Sequence, residues 1–165
     1  MSLRALLFVP VLISALAVLG CGGAPGEKLV PVGGKLLIDG QPLDGVEVSF
    51  VPEMSKKNSR GGSGTTDATG AFTVTDLDQN LPGLAPGKYT LAYSRRRLPD
   101  GSAGPKPEAG KPVDPGIIRV ETLPAHLTIP NPKIPASQVE IPAAGNTNLE
   151  LKASKKMSAA MMGPG

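Results

Sequence analysis

The 165-residue chain has one cysteine, one histidine, three phenylalanines, two tyrosines and no tryptophan. With Cys21 alone, no intramolecular disulfide can form. A zinc site asks for three or four Cys, His or carboxylate ligands, and His126 beside a single cysteine falls short of that set. No metal or other cofactor is therefore expected. Charge is missing at the start, where no charged side chain occurs between Arg4 and Glu27. Nor does either sign dominate the remainder. If residues 1–20 are removed, Arg4 goes with them, and 16 of the 17 basic residues face 14 acidic ones, a net charge of +2. That balance gives no case for nucleic acid.

The uncharged stretch after Arg4 includes an apolar run over residues 5–19, the length of a secretory signal core and short for a membrane span. Pro10 lies inside the run and would weaken an uncleaved membrane helix. The run ends in Val18-Leu19-Gly20-Cys21, which resembles the lipobox of bacterial lipoproteins. The resemblance implies a diacylglycerol on the Cys21 sulfur and cleavage before it. Residues 1–20 then form the signal peptide. Residues 21–28, rich in glycine, form a tether. An acyl chain contributes about 0.8 kcal/mol per buried methylene, and more than one chain is needed for a durable anchor. The expected location is the cell envelope. Gly22 rather than Asp after the cysteine favours, by resemblance to diderm lipoproteins, the outer membrane.

With 21 glycines and 18 prolines, the chain favours turns over long helices. Alternating apolar residues predict strands at Val30 to Ile38, with a bulge at Gly33-Gly34, at Val46 to Phe50, at Phe72 to Val74 and at Tyr89 to Tyr93. Asp39-Gly40 and Asp67 to Gly70 read as turns between them. Residues 53–64 read as a solvated loop and residues 123–135 as extended chain. Val139 and Ile141, followed by Leu149 and Leu151, read as a closing hairpin, and residues 153–165 as a disordered tail. Residues 95–121 carry many prolines and glycines without apolar periodicity and read as a long exposed loop, the first place to seek a partner.

Four segments carry a family resemblance: Gly34-Lys35-Leu36-Leu37-Ile38-Asp39-Gly40-Gln41-Pro42-Leu43, Gly45-Val46-Glu47-Val48-Ser49-Phe50-Val51-Pro52, Thr66-Asp67-Ala68-Thr69-Gly70-Ala71-Phe72 and Pro86-Gly87-Lys88-Tyr89-Thr90-Leu91. In order and spacing they resemble the carboxypeptidase regulatory-like, or transthyretin-like, domain of planctomycete-type bacterial lipoproteins. The resemblance covers residues 29–152, interrupted by the 95–121 insert. It implies an all-β, immunoglobulin-like sandwich of about seven strands and a non-catalytic module. A fold analogy does not supply the function.

Candidate chemistry is sparse. A Ser-His-Asp set could be drawn from Ser94 or Ser137 with His126, but no nucleophile-elbow sequence surrounds either serine. Asp67, Asp76 and Asp78 could offer oxygen ligands to calcium, although their spacing is not that of an EF-hand. Stacking on a sugar ring would need exposed aromatics, and Phe50, Phe72, Tyr89 and Tyr93 all fall at inward positions. Arg95, Arg96 and Arg97, with Lys56-Lys57 and Lys155-Lys156, could meet an anionic envelope polymer or lipid head groups; the plainer reading is a solvated strand end. The expectation is a non-enzymatic, lipid-anchored envelope module whose partner is an envelope protein or polymer. The alternatives are an envelope hydrolase and a calcium-dependent binding domain. Cys21→Ser should abolish incorporation of labelled fatty acid, and label persisting on that variant would refute the anchor.

Overall fold

The computed structural model describes residues 27–53, 59–105 and 116–156. The expected signal peptide, Cys21, Lys56-Lys57, the centre of the 95–121 segment and most of the expected tail lie outside them. Eleven strands occur among the described residues: β1 (Val32–Ile38), β2 (Gln41–Pro42), β3 (Glu47–Pro52), β4 (Gly62–Thr65), β5 (Ala71–Thr73), β6 (Thr75–Asp76), β7 (Gly87–Ser94), β8 (Arg96–Arg97), β9 (Val120–Glu121), β10 (Gln138–Ile141) and β11 (Asn146–Ala153). Seven of them have three residues or more. The fold is an all-β sandwich, as the alternating pattern predicts.

In one sheet β1 is the hub. β11 runs parallel to it along one side, while β5 and β2 pair antiparallel along the other. The register slips between Val32 and Gly34, where the paired glycines predict a bulge. Asp39 and Gly40 both have positive φ, 52° and 77°, the conformation a tight two-residue turn requires. The second sheet has the order β10-β7-β3-β4-β6, and β8 with β9 makes a separate ribbon.

Inward residues of both sheets meet in one core. Val32, Leu36, Ile38, Phe72, Leu149 and Leu151 come from the first sheet, and Val48, Phe50, Tyr89, Leu91, Tyr93 and Ile141 from the second. Phe50 lies at the centre, 6.3 Å from the Phe72 ring and 6.2 Å edge-on from that of Tyr89. Such aromatic contacts add about 0.5–1.5 kcal/mol to the burial itself. The Tyr89 hydroxyl, buried with its ring, donates to the Ala85 carbonyl at 2.6 Å. A tyrosine near the start of a strand bonding back to the preceding corner is a known feature of immunoglobulin-like sandwiches.

Three local expectations are corrected. Residues 62–64 do not belong to the loop expected over 53–64, because Gly62-Ser63-Gly64-Thr65 forms β4 between β3 and β6. Its glycines disguise it: a Cβ on Gly62 would stand 2.6 Å from the Thr75 carbonyl oxygen, and one on Gly64 2.2 Å from that of Thr73. Residues 123–135 are not simply extended, since they contain a one-turn helix, α1 (Ala125–Thr128), followed by a 3-10 turn at Pro135–Ser137. The third correction is the closing hairpin. β10 pairs with β7 and β11 pairs with β1, so the two strands lie in different sheets. Between them the chain arches from Pro142 to Gly145, whose N–H donates to the Pro142 carbonyl, and the Asn146 N–H then bonds Pro31.

Phe50→Ala should cost about 3–5 kcal/mol, because it empties the contact shared by the two sheets. Chemical denaturation of the two proteins measures this. A loss under about 1 kcal/mol would mean that the core is not built around this ring.

Candidate functional site

The three arginines expected to form a contact surface are not equivalent. Arg97 is buried, at 6% exposure, and its guanidinium donates to the Asp44 carbonyl at 2.7 Å and to the Asp44 carboxylate at 2.8 Å. Arg95 reaches the same residue, donating to the carbonyl at 2.9 Å and the carboxylate at 3.1 Å. Gly45 makes room for this clamp, since a Cβ there would meet the Arg97 guanidinium at 2.5 Å and its φ is +64°. Only Arg96 faces solvent freely. It lines a polar groove of about 850 Å³ with Glu47, Asp67 and Arg119, whose mixed charges give no preference for an anionic polymer.

The base of the 95–121 insert is likewise fixed. Glu121 accepts three backbone N–H bonds, from Arg95, Thr122 and Leu123, each at 2.9 Å, and the Ser94 hydroxyl donates to its other oxygen at 2.6 Å. The reading of this segment as wholly exposed loop is thereby corrected at its ends: β8 and β9 pair, and a carboxylate ties the return of the chain to the end of β7.

A second concavity was not foreseen. β10 pairs β7 only across Gly87–Thr90, so among the described residues the same edge of β7 has no strand beside Leu91 to Ser94. Helix α1 and the 3-10 turn pack there instead. Between them and β11 a cleft of about 490 Å³ opens, walled by Leu91, Tyr93, Leu127, Ile134, Ala136 and Ala153. Polar groups stand among these walls. The His126 Nε2 lies 2.9 Å from the Ser154 carbonyl; a carbonyl only accepts, so Nε2 carries the proton of this bond. The Ser154 hydroxyl donates to Asp39 at 2.8 Å and, with the Lys155 N–H at 3.1 Å, holds the Asp39 carboxyl below its ordinary pKa. Lys152 and Lys156 complete the lining.

The residues of the alternative chemistries are not assembled. Ser94 donates to Glu121, and the Ser137 hydroxyl lies 2.8 Å from the Asn131 and Ile134 carbonyls. Neither bonds His126 among the described residues. Asp67 accepts from the Thr69 hydroxyl and from the N–H groups of Thr69 and Ala71. Asp76 accepts from the N–H groups of Asp78 and Gln79, and Asp78 pairs with Arg60 at 3.1 Å. No three metal-binding side chains converge among the described residues. Comparison with protein-family models, curated proteins and solved structures returns no match to the chain.

Burial opposes ionisation of Glu121, yet the bonds from Ser94 and the three backbone groups outweigh it and set the carboxyl below its ordinary pKa of 4.5. Its contribution to stability is complete above that value and is lost as the pH falls through the lower folded one. The urea midpoints of wild type and Glu121→Gln should therefore be separated at about pH 6 and converge well below about pH 4.5. A gap independent of pH would show that the charge of Glu121 is not what secures the insert.

Proposed function

We propose that the chain is a lipid-anchored, non-catalytic binding module of the cell envelope, held to the membrane through Cys21 and presenting the cleft beside β7 to an envelope component. The observation that carries this reading is the cleft itself. A concave site with mainly aliphatic walls and a few convergent polar groups is the usual form of a small-molecule pocket, for which about 300–1,000 Å³ is typical; this one holds about 490 Å³. The Val18-Leu19-Gly20-Cys21 sequence supports the anchor, and Gly22 supports the outer membrane as its place. The resemblance to carboxypeptidase regulatory-like domains, carried by the four segments named above, supports a module rather than an enzyme.

The hydrolase alternative is disfavoured by the serine hydroxyls, which are bonded elsewhere, and the calcium alternative by carboxylates already engaged in turns and an ion pair. Two variants expressed in cells lacking the native copy separate the readings. Ala136→Trp, at an exposed position on the wall of the cleft, should fail to relieve the envelope defect of the deletion while remaining membrane-bound and folded. His126→Gln, which can still donate to the Ser154 carbonyl, should relieve it. Full activity of Ala136→Trp would refute binding at the cleft, and loss of function in His126→Gln alone would return the hydrolase reading to favour.

A further inference from the structure

The geometry points to a free fatty-acid anion as the ligand of the cleft, its alkyl chain between β7 and α1 and its carboxylate at the lysine rim. This assignment rests on reading the cleft as a binding site, and it follows from the kind of wall, the charge at the rim and one unused donor.

The walls are aliphatic apart from Tyr93: Leu91, Leu127, Ile134, Ala136 and Ala153 offer methyl and methylene surface to a flexible chain and little to stack on a planar ring. Burying that chain is favourable by about 0.8 kcal/mol per methylene. The charge of the lining selects the head group. Lys152 and Lys156 are opposed by Asp39 alone, which leaves one positive charge, the complement of a carboxylate. Asp39 is itself occupied by the Ser154 hydroxyl and the Lys155 N–H. Lys152 has a neighbour in Glu150, but at 4.0 Å with both side chains more than 70% exposed, a pairing that contributes little and leaves the ammonium free to turn. A phosphate monoester, with close to two negative charges, would be left undercompensated.

The unused donor is the Tyr93 hydroxyl. Tyr93 lines the cleft, is only 4% exposed, and its hydroxyl makes no hydrogen bond to any described residue. The contrast is with Tyr89, whose hydroxyl is satisfied by Ala85. The hydroxyl is not among the fully buried side-chain atoms left without a partner, so it reaches the open space of the cleft, where it can donate to a ligand. Burial pushes the Tyr93 pKa up to about 12, so the group remains a donor at neutral pH. His126 and Ser137 are not equivalent candidates, because each already bonds a backbone carbonyl.

The test uses the chain from residue 21 onward, carrying Cys21→Ser, in detergent-free buffer, so that neither an attached acyl group nor the apolar run of residues 5–19 competes. The probe is 11-(dansylamino)undecanoic acid, followed by its fluorescence, with hexadecanoate, hexadecan-1-ol and hexadecyl phosphate as competitors. Hexadecanoate should displace the probe about tenfold more tightly than the alcohol, the worth of one hydrogen bond to a charged group, and more tightly than the phosphate. Ala136→Trp should abolish probe binding. The surface double variant Lys152→Gln/Lys156→Gln should weaken hexadecanoate about tenfold and leave the alcohol unchanged. Equal competition by acid and alcohol, tighter competition by the phosphate, or probe binding untouched by both sets of substitutions would overturn the assignment. Absence of any binding would overturn it too, without bearing on the anchor, which the fatty-acid labelling of Cys21 tests separately.

Discussion

The parallel pairing of β1 with β11 is the constraint on which the rest of the sandwich depends. It sets the first long strand beside the last, and it is possible only because of Gly34. A Cβ at that position would lie 2.2 Å from the Leu149 carbonyl oxygen, so any larger residue would separate the strands. β11 lies against β1 in one sheet and β10 against β7 in the other, so the chain crosses from one sheet to the other in four residues. Gly145 lets it do so, with φ of +79° and a backbone that approaches Pro31 too closely for a side chain. The cleft is a consequence of the same separation, because β11 supplies one wall and the uncovered edge of β7 another.

Charge acts in this protein mainly to fix loops. Asp44 holds Arg95 and Arg97 over the β2–β3 turn, and Glu121 holds the return of the insert to the end of β7. Both carboxyls lie below their ordinary pKa although partial burial works against ionisation; hydrogen bonds to them outweigh it, with the arginine charges adding at Asp44. A run of three arginines in a sequence suggests a solvent-facing patch. Here alternation along an extended segment turns Arg95 and Arg97 to one side and Arg96 to the other, and two of the three charges become structural.

The short helix α1 has a comparable indirect role. Its one turn has no side-chain cap and buries Leu127 alone, so it is held by packing on β7 and not by its own propensity. That packing substitutes for a missing stretch of β10 and leaves a gap no strand would leave. The aliphatic walls, the rim lysines and the Tyr93 hydroxyl are brought into one cleft from residues 39 to 156, with no local motif among them.

What the sequence determined is the part of the structure that is local. The period of two at Val46, Val48 and Phe50 and at Tyr89, Leu91 and Tyr93 marked the core, because alternate residues of a strand face one side whatever the partner. Asp39-Gly40 and Asp67 to Gly70 marked turns, because their side chains and φ preferences act within four residues. Tertiary structure alone decided the partners of those strands. β4 was hidden because its glycines answer to the backbone of residues 73–75, and the hairpin reading failed because the neighbour of β11 lies more than a hundred residues away in the chain. The cleft was invisible for the same reason: it is made where strand pairing stops, and a sequence records which residues favour a strand but not where its neighbour ends.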